Sequence, residues 1–575
     1  MADPAASAMT QGDINLAWAD ALIAGLASSG IRHAVISPGS RSTPLALAVH
    51  RHPALELTII PDERSAAFFA LGVGRRSGQP AIVICTSGTA VGNWLPAAIE
   101  GAMDAVPMVM LSADRPLELQ HVGSNQTIEQ PGLFSSHVRA CYQLSAPSPQ
   151  QSEFSFPESL GVQAAHRACW PEPGPVHINA AFREPMVPSL AALEASPKPV
   201  PSRPLHRPRI EADPESLEAL AADLAQGPNL IVVGRLPLDD DFAEAVTTLA
   251  ARLDCPIVAD PLSGLRWGKH DRSRVISAHD VFLRSPGWRE KLAPATVLQF
   301  GGSATGIGLQ RFLQQAAHRL WLIGSFGPWA DPARHARQRV YADPTRLARA
   351  LEPRLPRSQS RDNRMADWAQ AQSWADTLCA DPELLPPEGL LVKALEAGLP
   401  DGCKLFVGNS IAIRAVDAFA RGRQSGLDVY GNRGASGIDG NVSTALGIAT
   451  DESTASAALI GDLTLYHDMN GLLAARDRDI TLIVVNNGGG GIFDLLPQRQ
   501  MPDFERLWLT PTALDLAKVA ALYDLRHAVA EPGPAFQQQL ALACASPGPD
   551  LIELRIDRPD SSRRFRALWA AASAS

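Results

Sequence analysis

The sequence predicts an α/β fold of three doubly wound parallel-sheet domains. Two observations carry that expectation. Short apolar runs alternate with amphipathic stretches along the chain, and two proline-bearing breaks cut the pattern into three lengths. A strand buried on both faces of a parallel sheet reads as an unbroken apolar run, and the helix that crosses over to the next strand reads as amphipathic.

In the first third the strand-like runs are Ala34-Val35-Ile36, Leu57 to Ile60, Ala81 to Cys85, Met108 to Leu111 and Val176 to Ile178, with helix-like stretches at Ile14 to Ala27 and Ser65 to Gly74. From Pro185 to Arg209 the chain turns Pro-rich and loses periodicity, the mark of a stiff, extended linker. A second set of runs lies at Leu230 to Val233, Pro256 to Ala259, Val297 to Phe300 and Leu320 to Ile323. After a polar break at Glu352 to Arg364, a third set follows at Lys404 to Val407, Ala457 to Ile460, Thr481 to Val485 and Leu551 to Leu554. The expected domains are therefore 1–190, 210–352 and 365–575. That agrees with 575 residues shared out at about 150 per domain.

Composition excludes several classes. Apolar residues make up 46 % and charged residues 19 %, a globular mixture rather than a disordered one. A net charge of −9 argues against a nucleic-acid partner. No apolar run approaches the ~20 residues that span a bilayer. Met1 to Gly12 lacks the basic and apolar regions of a signal peptide and is expected to be a frayed end. The seven cysteines are scattered without a CxxC pair, which fits a reducing, cytoplasmic setting.

The sharpest local signal is Ile460-Gly461-Asp462-Leu463, followed by Val485-Asn486-Asn487-Gly488-Gly489-Gly490-Gly491. Asp462 and Asn487 each end an apolar run and lie 487 − 462 = 25 positions apart. A strand–helix–strand unit takes roughly 30 residues, so both belong at one sheet edge, where open α/β sheets bind ligands. A carboxylate, an amide oxygen and a backbone carbonyl form a hard-oxygen set suited to Mg²⁺, and glycines let N–H groups approach a diphosphate. The same residues would equally serve as a helix cap and a flexible turn. Gly72-Val73-Gly74 follows a helical stretch instead of a strand, so it is expected to end that helix rather than hold a dinucleotide.

The Gly-Asp…Asn-Asn spacing resembles the motif of thiamin-diphosphate-dependent enzymes. The resemblance implies a thiamin-diphosphate-binding fold and assigns Asp462, Asn487 and the Gly489 carbonyl to Mg²⁺ or Mn²⁺, with Gly461 at the cofactor. The motif's usual third residue is glycine, and here it is Leu463. That departure resembles one branch, the 2-succinyl-5-enolpyruvyl-6-hydroxy-3-cyclohexene-1-carboxylate synthase family of menaquinone biosynthesis. Thiamin chemistry needs a carboxylate at the aminopyrimidine N1′, so that the exocyclic nitrogen can take up a proton. In Pro61-Asp62-Glu63-Arg64-Ser65-Ala66, Glu63 matches that element, although acids at a helix start also suit its dipole.

Four arginines stand in Gly/Ser-rich segments: Arg41 in SPGSRSTP, Arg115 in SADRP, Arg414 in GNSIAIR and Arg433 in GNRGASGIDG. Guanidinium forks suit bidentate carboxylate binding, and a lone surface arginine needs no such role. These segments, with GSNQTIEQ (123–130) and GIFDLLP (491–497), resemble the same synthase family over about 33–135 and 404–500. By that resemblance Ser40, Arg41, Arg115, Asn125, Gln126, Ser410, Arg414 and Arg433 bind substrate. Glu63, Gln126, Arg41 and Arg414 act in catalysis, and Ile438 props the bent cofactor. Ile492 and Phe493 at the cofactor and Leu496 at the substrate line the apolar side of the pocket, unless they are ordinary core.

The implied reaction is decarboxylation of 2-oxoglutarate and 1,4-addition of the remaining succinyl unit to isochorismate. The implied assembly is a homodimer or homotetramer with sites between subunits. His467 receives no role. One departure stands out: where the family carries basic residues in the middle domain, this chain has Ile307 and Gly308, with Arg311 a helical turn on. Two rival readings stay open, another thiamin-diphosphate 2-oxoacid decarboxylase or carboligase, and a non-catalytic protein that kept the fold.

Overall fold

A computed structural model describes residues 9–148, 155–197, 200–316, 319–356 and 364–574. It contains three parallel sheets of six strands each. The first holds β1 (His33–Ile36), β2 (Glu56–Ile59), β3 (Ala81–Cys85), β4 (Met108–Asp114), β5 (Cys141–Leu144) and β6 (Pro175–Ala181), in the order β2-β1-β3-β4-β6-β5. The second holds β7 (Asn229–Val233), β8 (Ile257–Ala259), β9 (Val275–Ile276), β10 (Thr296–Phe300), β11 (Leu320–Ile323) and β12 (Ala336–Val340), in the order β12-β11-β10-β7-β8-β9. The third holds β13 (Cys403–Val407), β14 (Leu427–Tyr430), β15 (Ser456–Gly461), β16 (Ile480–Asn486), β17 (Arg526–Ala530) and β18 (Pro549–Arg555), in the order β14-β13-β15-β16-β18-β17. The first and third sheets thus share one topology, and the second has another.

Interior strands are the apolar runs of the sequence. Every residue of β3, β4, β6, β10 and β13 is buried, and each fully buried Val, Ile or Leu contributes about 1.5–3 kcal/mol. Five strands escape the apolar-run criterion: β5, β9, β12, β14 and β17. All five are sheet edges. An edge strand faces water, so its side chains are mixed: β12 reads ARQRV and β17 reads RHAVA.

The chain divides into two compact units. The first comprises Met1–Arg207, Asn432–Thr450 and Asp468–Ala475; the second comprises Pro208–Gly431, Asp451–His467 and Arg476–Ser575. The first unit opens with the Gln11–Ser28 helix, started by a capping box between Thr10 and Asp13. Gln11 and Gly12 are therefore helical rather than frayed, while residues 1–8 of the expected frayed end lie outside the described residues. The Pro185–Arg209 stretch is mostly irregular but includes a short helix, Leu190–Glu194, capped by Ser189. Of the Glu352–Arg364 break, 357–363 lie outside the described residues.

The Glu63–Ser77 helix corrects one expectation. Asp62 caps its start by accepting from the Ser65 N–H, and the helix runs through Gly72 and Gly74 to Gly78, whose φ of 64° ends it. Gly72 is there for packing. A Cβ at Gly72 would lie 2.1 Å from the Thr444 carbonyl oxygen, and one at Gly447 would lie 2.1 Å from that of Phe69. The Glu63–Ser77 and Asn441–Ile448 helices thus meet backbone to backbone. Asp468 joins them: it is buried, accepts from the Ser443 N–H at 2.7 Å and accepts from the Ser65 hydroxyl at 3.2 Å. Among the described residues no helix is long and apolar enough to cross a membrane.

Candidate functional site

The sequence-marked residues sit in the loops and first helical turns that follow the carboxyl ends of strands in the first and third sheets. Arg41 follows β1, Glu63 follows β2, Arg115 follows β4, Ser410 follows β13, Arg433 follows β14, Asp462 follows β15 and Asn487 follows β16. Such edges are where parallel sheets present ligand-binding groups.

In the first unit, Glu63 is the first residue of its helix and is half-buried. Its carboxylate is felt by Cys85 at the end of β3, whose thiol is pushed well up by burial and further by the Glu63 charge. A second group forms around two arginines. Arg41 is 7 % exposed and donates to the Phe182 carbonyl at 3.0 Å and to Glu184 at 2.9 Å. Arg115 donates to the Ser87 hydroxyl and, at 2.7 Å, to the Gln126 carbonyl, while the Gln126 amide donates to the Ser87 carbonyl at 2.8 Å. Burial lowers the Arg115 pKa, and the nearby Arg41 charge lowers it further. Asp114 and Glu184 oppose the shift, so the cluster gathers two guanidiniums and two of the protein's own carboxylates, and a substrate carboxylate would have to compete with Glu184 for Arg41. Ser40, Asn125 and Gln126 are exposed beside them, and Gln126 holds a φ of 53°. Arg433 and Ile438 are half-buried in the loop before the Asn441–Ile448 helix. Ser87 and Glu184 escape sequence reasoning. Thr86-Ser87-Gly88 is a Ser/Gly turn after an apolar run, the signal that marks the other loops, whereas nothing local marks Glu184.

In the second unit, Gly461 ends β15 and Asp462 opens the Asp462–His467 helix. Asp462 is 3 % exposed and accepts from the Leu463 N–H at 2.8 Å and the Gly489 N–H at 2.8 Å. Burial nevertheless raises its pKa to about 6. A buried carboxylate short of counter-charge is what a cation stabilises. The Asn487 Oδ1 is also buried, and it has no hydrogen-bond partner, a state that costs about 1–3 kcal/mol unless a ligand fills it. Gly489 has a φ of 134°, and a Cβ there would meet the Leu509 carbonyl at 2.3 Å, so only glycine fits; its own carbonyl accepts from the Gly491 N–H at 2.9 Å and keeps a second lone pair. Carboxylate, orphaned amide oxygen and backbone carbonyl therefore fit a hard divalent cation. Among the described residues no three His, Cys, Asp or Glu side chains gather as a metal cage; this set is of another donor class.

Ile492 and Phe493 are half-buried and Leu496 is 40 % exposed, so Leu496 is not core. Ser410 holds φ 67° and ψ −127° ahead of its helix, a strained position for a residue with a side chain. Its carbonyl accepts from Arg414 at 2.7 Å. Burial lowers the Arg414 pKa, and Asp280 and Asp417 oppose the shift. Asp280 also accepts from the Gly308 N–H at 2.9 Å. Ile307 is 40 % exposed, and the charge of Arg311 falls on Arg289. His467 is exposed.

Comparison with known proteins defines the class. The family described as "Thiamine pyrophosphate enzyme, N-terminal TPP binding domain" matches residues 17–133, "Middle domain of thiamine pyrophosphate" matches 211–407, and "Thiamine pyrophosphate enzyme, C-terminal TPP binding domain" matches 418–554. The chain is thus a thiamin-diphosphate-dependent enzyme. Three relatives carry the name 2-succinyl-5-enolpyruvyl-6-hydroxy-3-cyclohexene-1-carboxylate synthase. That of Dechloromonas aromatica is 42 % identical over 95 % of this chain and 99 % of its own length. That of Chloroflexus aurantiacus is 40 % identical over 97 % and 96 %, and that of Geobacillus kaustophilus is 41 % identical over 96 % and 97 %. The chain belongs to this synthase family.

Proposed function

We propose that the protein decarboxylates 2-oxoglutarate and adds the succinyl unit to isochorismate, a step of menaquinone biosynthesis, giving 2-succinyl-5-enolpyruvyl-6-hydroxy-3-cyclohexene-1-carboxylate and carbon dioxide. The observation that carries this choice of substrates is the crowding of Arg41 and Arg115, which suits reactants bearing several carboxylates. Domains divide at 1–190, 210–352 and 365–575. The enzyme works in the cytoplasm as a homodimer or homotetramer whose sites are completed between subunits.

Asp462, Asn487 and the Gly489 carbonyl would hold Mg²⁺ or Mn²⁺, which would supply positive charge for a diphosphate. When bound, thiamin diphosphate supplies the carbon nucleophile and the electron sink for decarboxylation. Glu63 keeps a proton at the aminopyrimidine N1′. Ile438 would support the cofactor from its apolar side. Arg41, Arg115, Arg414 and Arg433, with Ser40, Asn125 and Ser410, orient the substrate carboxylates and hydroxyls, and Gln126 positions a hydroxyl or keto group. Orientation of this kind converts two encounters into one near-attack geometry. Ile492, Phe493 and Leu496 exclude water from the reacting centre.

The test is incubation with thiamin diphosphate, Mg²⁺, isochorismate and either 2-oxoglutarate or pyruvate, with mass analysis. Product from 2-oxoglutarate supports the reading. Product from pyruvate alone would assign the chain to another carboligase chemistry.

A further inference from the structure

Glu100 is a buried carboxylate without an assigned task. It lies on the Leu95–Met103 helix and is 2 % exposed. Its Oε1 accepts from the Gly434 N–H at 2.8 Å and its Oε2 from the Ala435 N–H at 2.6 Å. Arg75, near the end of the helix that Glu63 begins, donates to the same Oε1 at 3.1 Å and also pairs with Asp104. An apolar residue would serve helix packing better, because a buried charge is tolerated only where its partners repay desolvation. Here the partners are two successive backbone N–H groups, an anion-in-nest arrangement in which the anion is the protein's own.

The clamped peptides directly follow Arg433. Gly434 sits against the end of the Leu95–Met103 helix: a Cβ there would lie 2.6 Å from the Glu100 carbonyl oxygen and 3.0 Å from the Met103 Cβ. At the loop's other end, a Cβ at Gly440 would lie 1.9 Å from the Phe68 ring, on the Glu63 helix. The Arg433 loop is therefore pinned at both ends within the first unit. The first pin is ionic, whereas at the second the neutral Asn441 amide donates to the Gly437 and Asp439 carbonyls at 3.0 and 2.9 Å.

We propose that Glu100 is a positioning residue for substrate binding, fixing the backbone at Gly434 and Ala435 so that Arg433 is held ready for a substrate carboxylate. This rests on the substrate-binding role proposed above for Arg433. Without the clamp, two successive N–H groups lose their charged acceptor and the loop gains conformations. The substrate must then order the loop on binding, which weakens binding more than turnover.

The experiment uses the full chain with thiamin diphosphate, Mg²⁺ and both substrates, and compares Glu100→Gln, Arg433→Ala and the double variant. Glu100→Gln should raise by about tenfold the KM of the same substrate that Arg433→Ala affects, with kcat changed by no more than about threefold. The double variant should be no worse than Arg433→Ala alone, and calorimetry should show cofactor affinity unchanged. Additive KM effects in the double variant, or an unchanged KM in folded Glu100→Gln, would overturn the role of Glu100 and leave that of Arg433 standing. Unchanged KM values for both substrates in Arg433→Ala would remove the role of Arg433, and the clamp's purpose with it. Should Glu100→Gln not fold, Arg75→Lys loosens the same carboxylate from outside the loop. It should raise the same KM by a smaller factor, and an unchanged value in that folded variant would also overturn the proposal.

Discussion

Residues 301–308 and 487–491 look alike in sequence. Both are glycine-rich, both follow an interior parallel strand, β10 and β16, and both lead into helical turns. The structure gives them opposite characters. In the first, the Thr305 N–H donates to Asp260 at 2.9 Å and the Gly308 N–H donates to Asp280 at 2.9 Å, so the protein's own carboxylates occupy the place an anionic ligand would take. In the second, Asp462 also accepts from the loop, but Asn487 Oδ1 is buried without a partner. A glycine loop at a sheet edge is thus an opportunity, and the kind of oxygen beside it matters. Asp417 Oδ2, next to Gly306, is also buried without a partner but sits among the protein's own carboxylates and Arg266, whereas Asn487 Oδ1 is an amide acceptor beside a glycine turn.

The comparison can be sharpened or broken by variants. The largest effect belongs to a third strand-end acid, Glu63, which half-faces solvent and has no capping role to fill because Asp62 takes it. Glu63→Gln should lower turnover by about 10²–10⁴-fold with thiamin diphosphate still bound by calorimetry. Near wild-type turnover would remove Glu63 from the chemistry. Next, Asp462→Ala should weaken Mg²⁺-dependent cofactor binding by about 100-fold or more; equal affinity in titrations with and without Mg²⁺ would break the contrast between the loops.

Two smaller effects belong to polar groups the protein satisfies itself. His177 is fully buried between the Ser112 hydroxyl at 2.8 Å and Cys141, and burial lowers its pKa to about 4 from 6.5. Between those values the unfolded chain takes up a proton that the folded protein refuses. Stability is therefore fully present above pH 6.5 and falls with pH through that window, by up to about 3 kcal/mol. The difference in urea stability between wild type and His177→Gln should shrink accordingly from pH 7 to pH 4.5. A constant difference would show that His177 does not titrate there. Smallest, Asp280→Asn should reduce stability by about 1–2 kcal/mol by removing the charge that pairs with Arg284 and strengthens the Gly308 bond, and leave cofactor affinity alone. A loss of cofactor affinity would mean that the two loops are not opposites.

The same logic explains what the sequence discloses. Interior strands are wrapped in protein on both faces and must be apolar, so β1, β3, β4, β6 and their counterparts are legible as runs. Edge strands such as β12 and β17 answer to solvent and carry no such imprint. At the candidate site, Asp462, Asn487 and Glu63 are marked in the sequence because each stands at or just after the end of an apolar run in a recognisable local motif. Glu184 and Glu100 are not, because their partners are brought in by the fold; the Glu100–Gly434 bond spans 334 positions. Gly72 misleads for a related reason. A glycine inside a helix reads as a stop, yet here it admits the Thr444 backbone.

The helix that fills Gly72 belongs to residues 432–450, and with 468–475 it completes a unit that otherwise ends at Arg207. On the ribosome, that first unit must wait for another 475 − 207 = 268 residues before its last pieces emerge. At about 5–20 residues per second this is a delay of roughly 10–50 s. Until then the Gly72 face of the Glu63–Ser77 helix lacks the backbone that covers it in the folded unit.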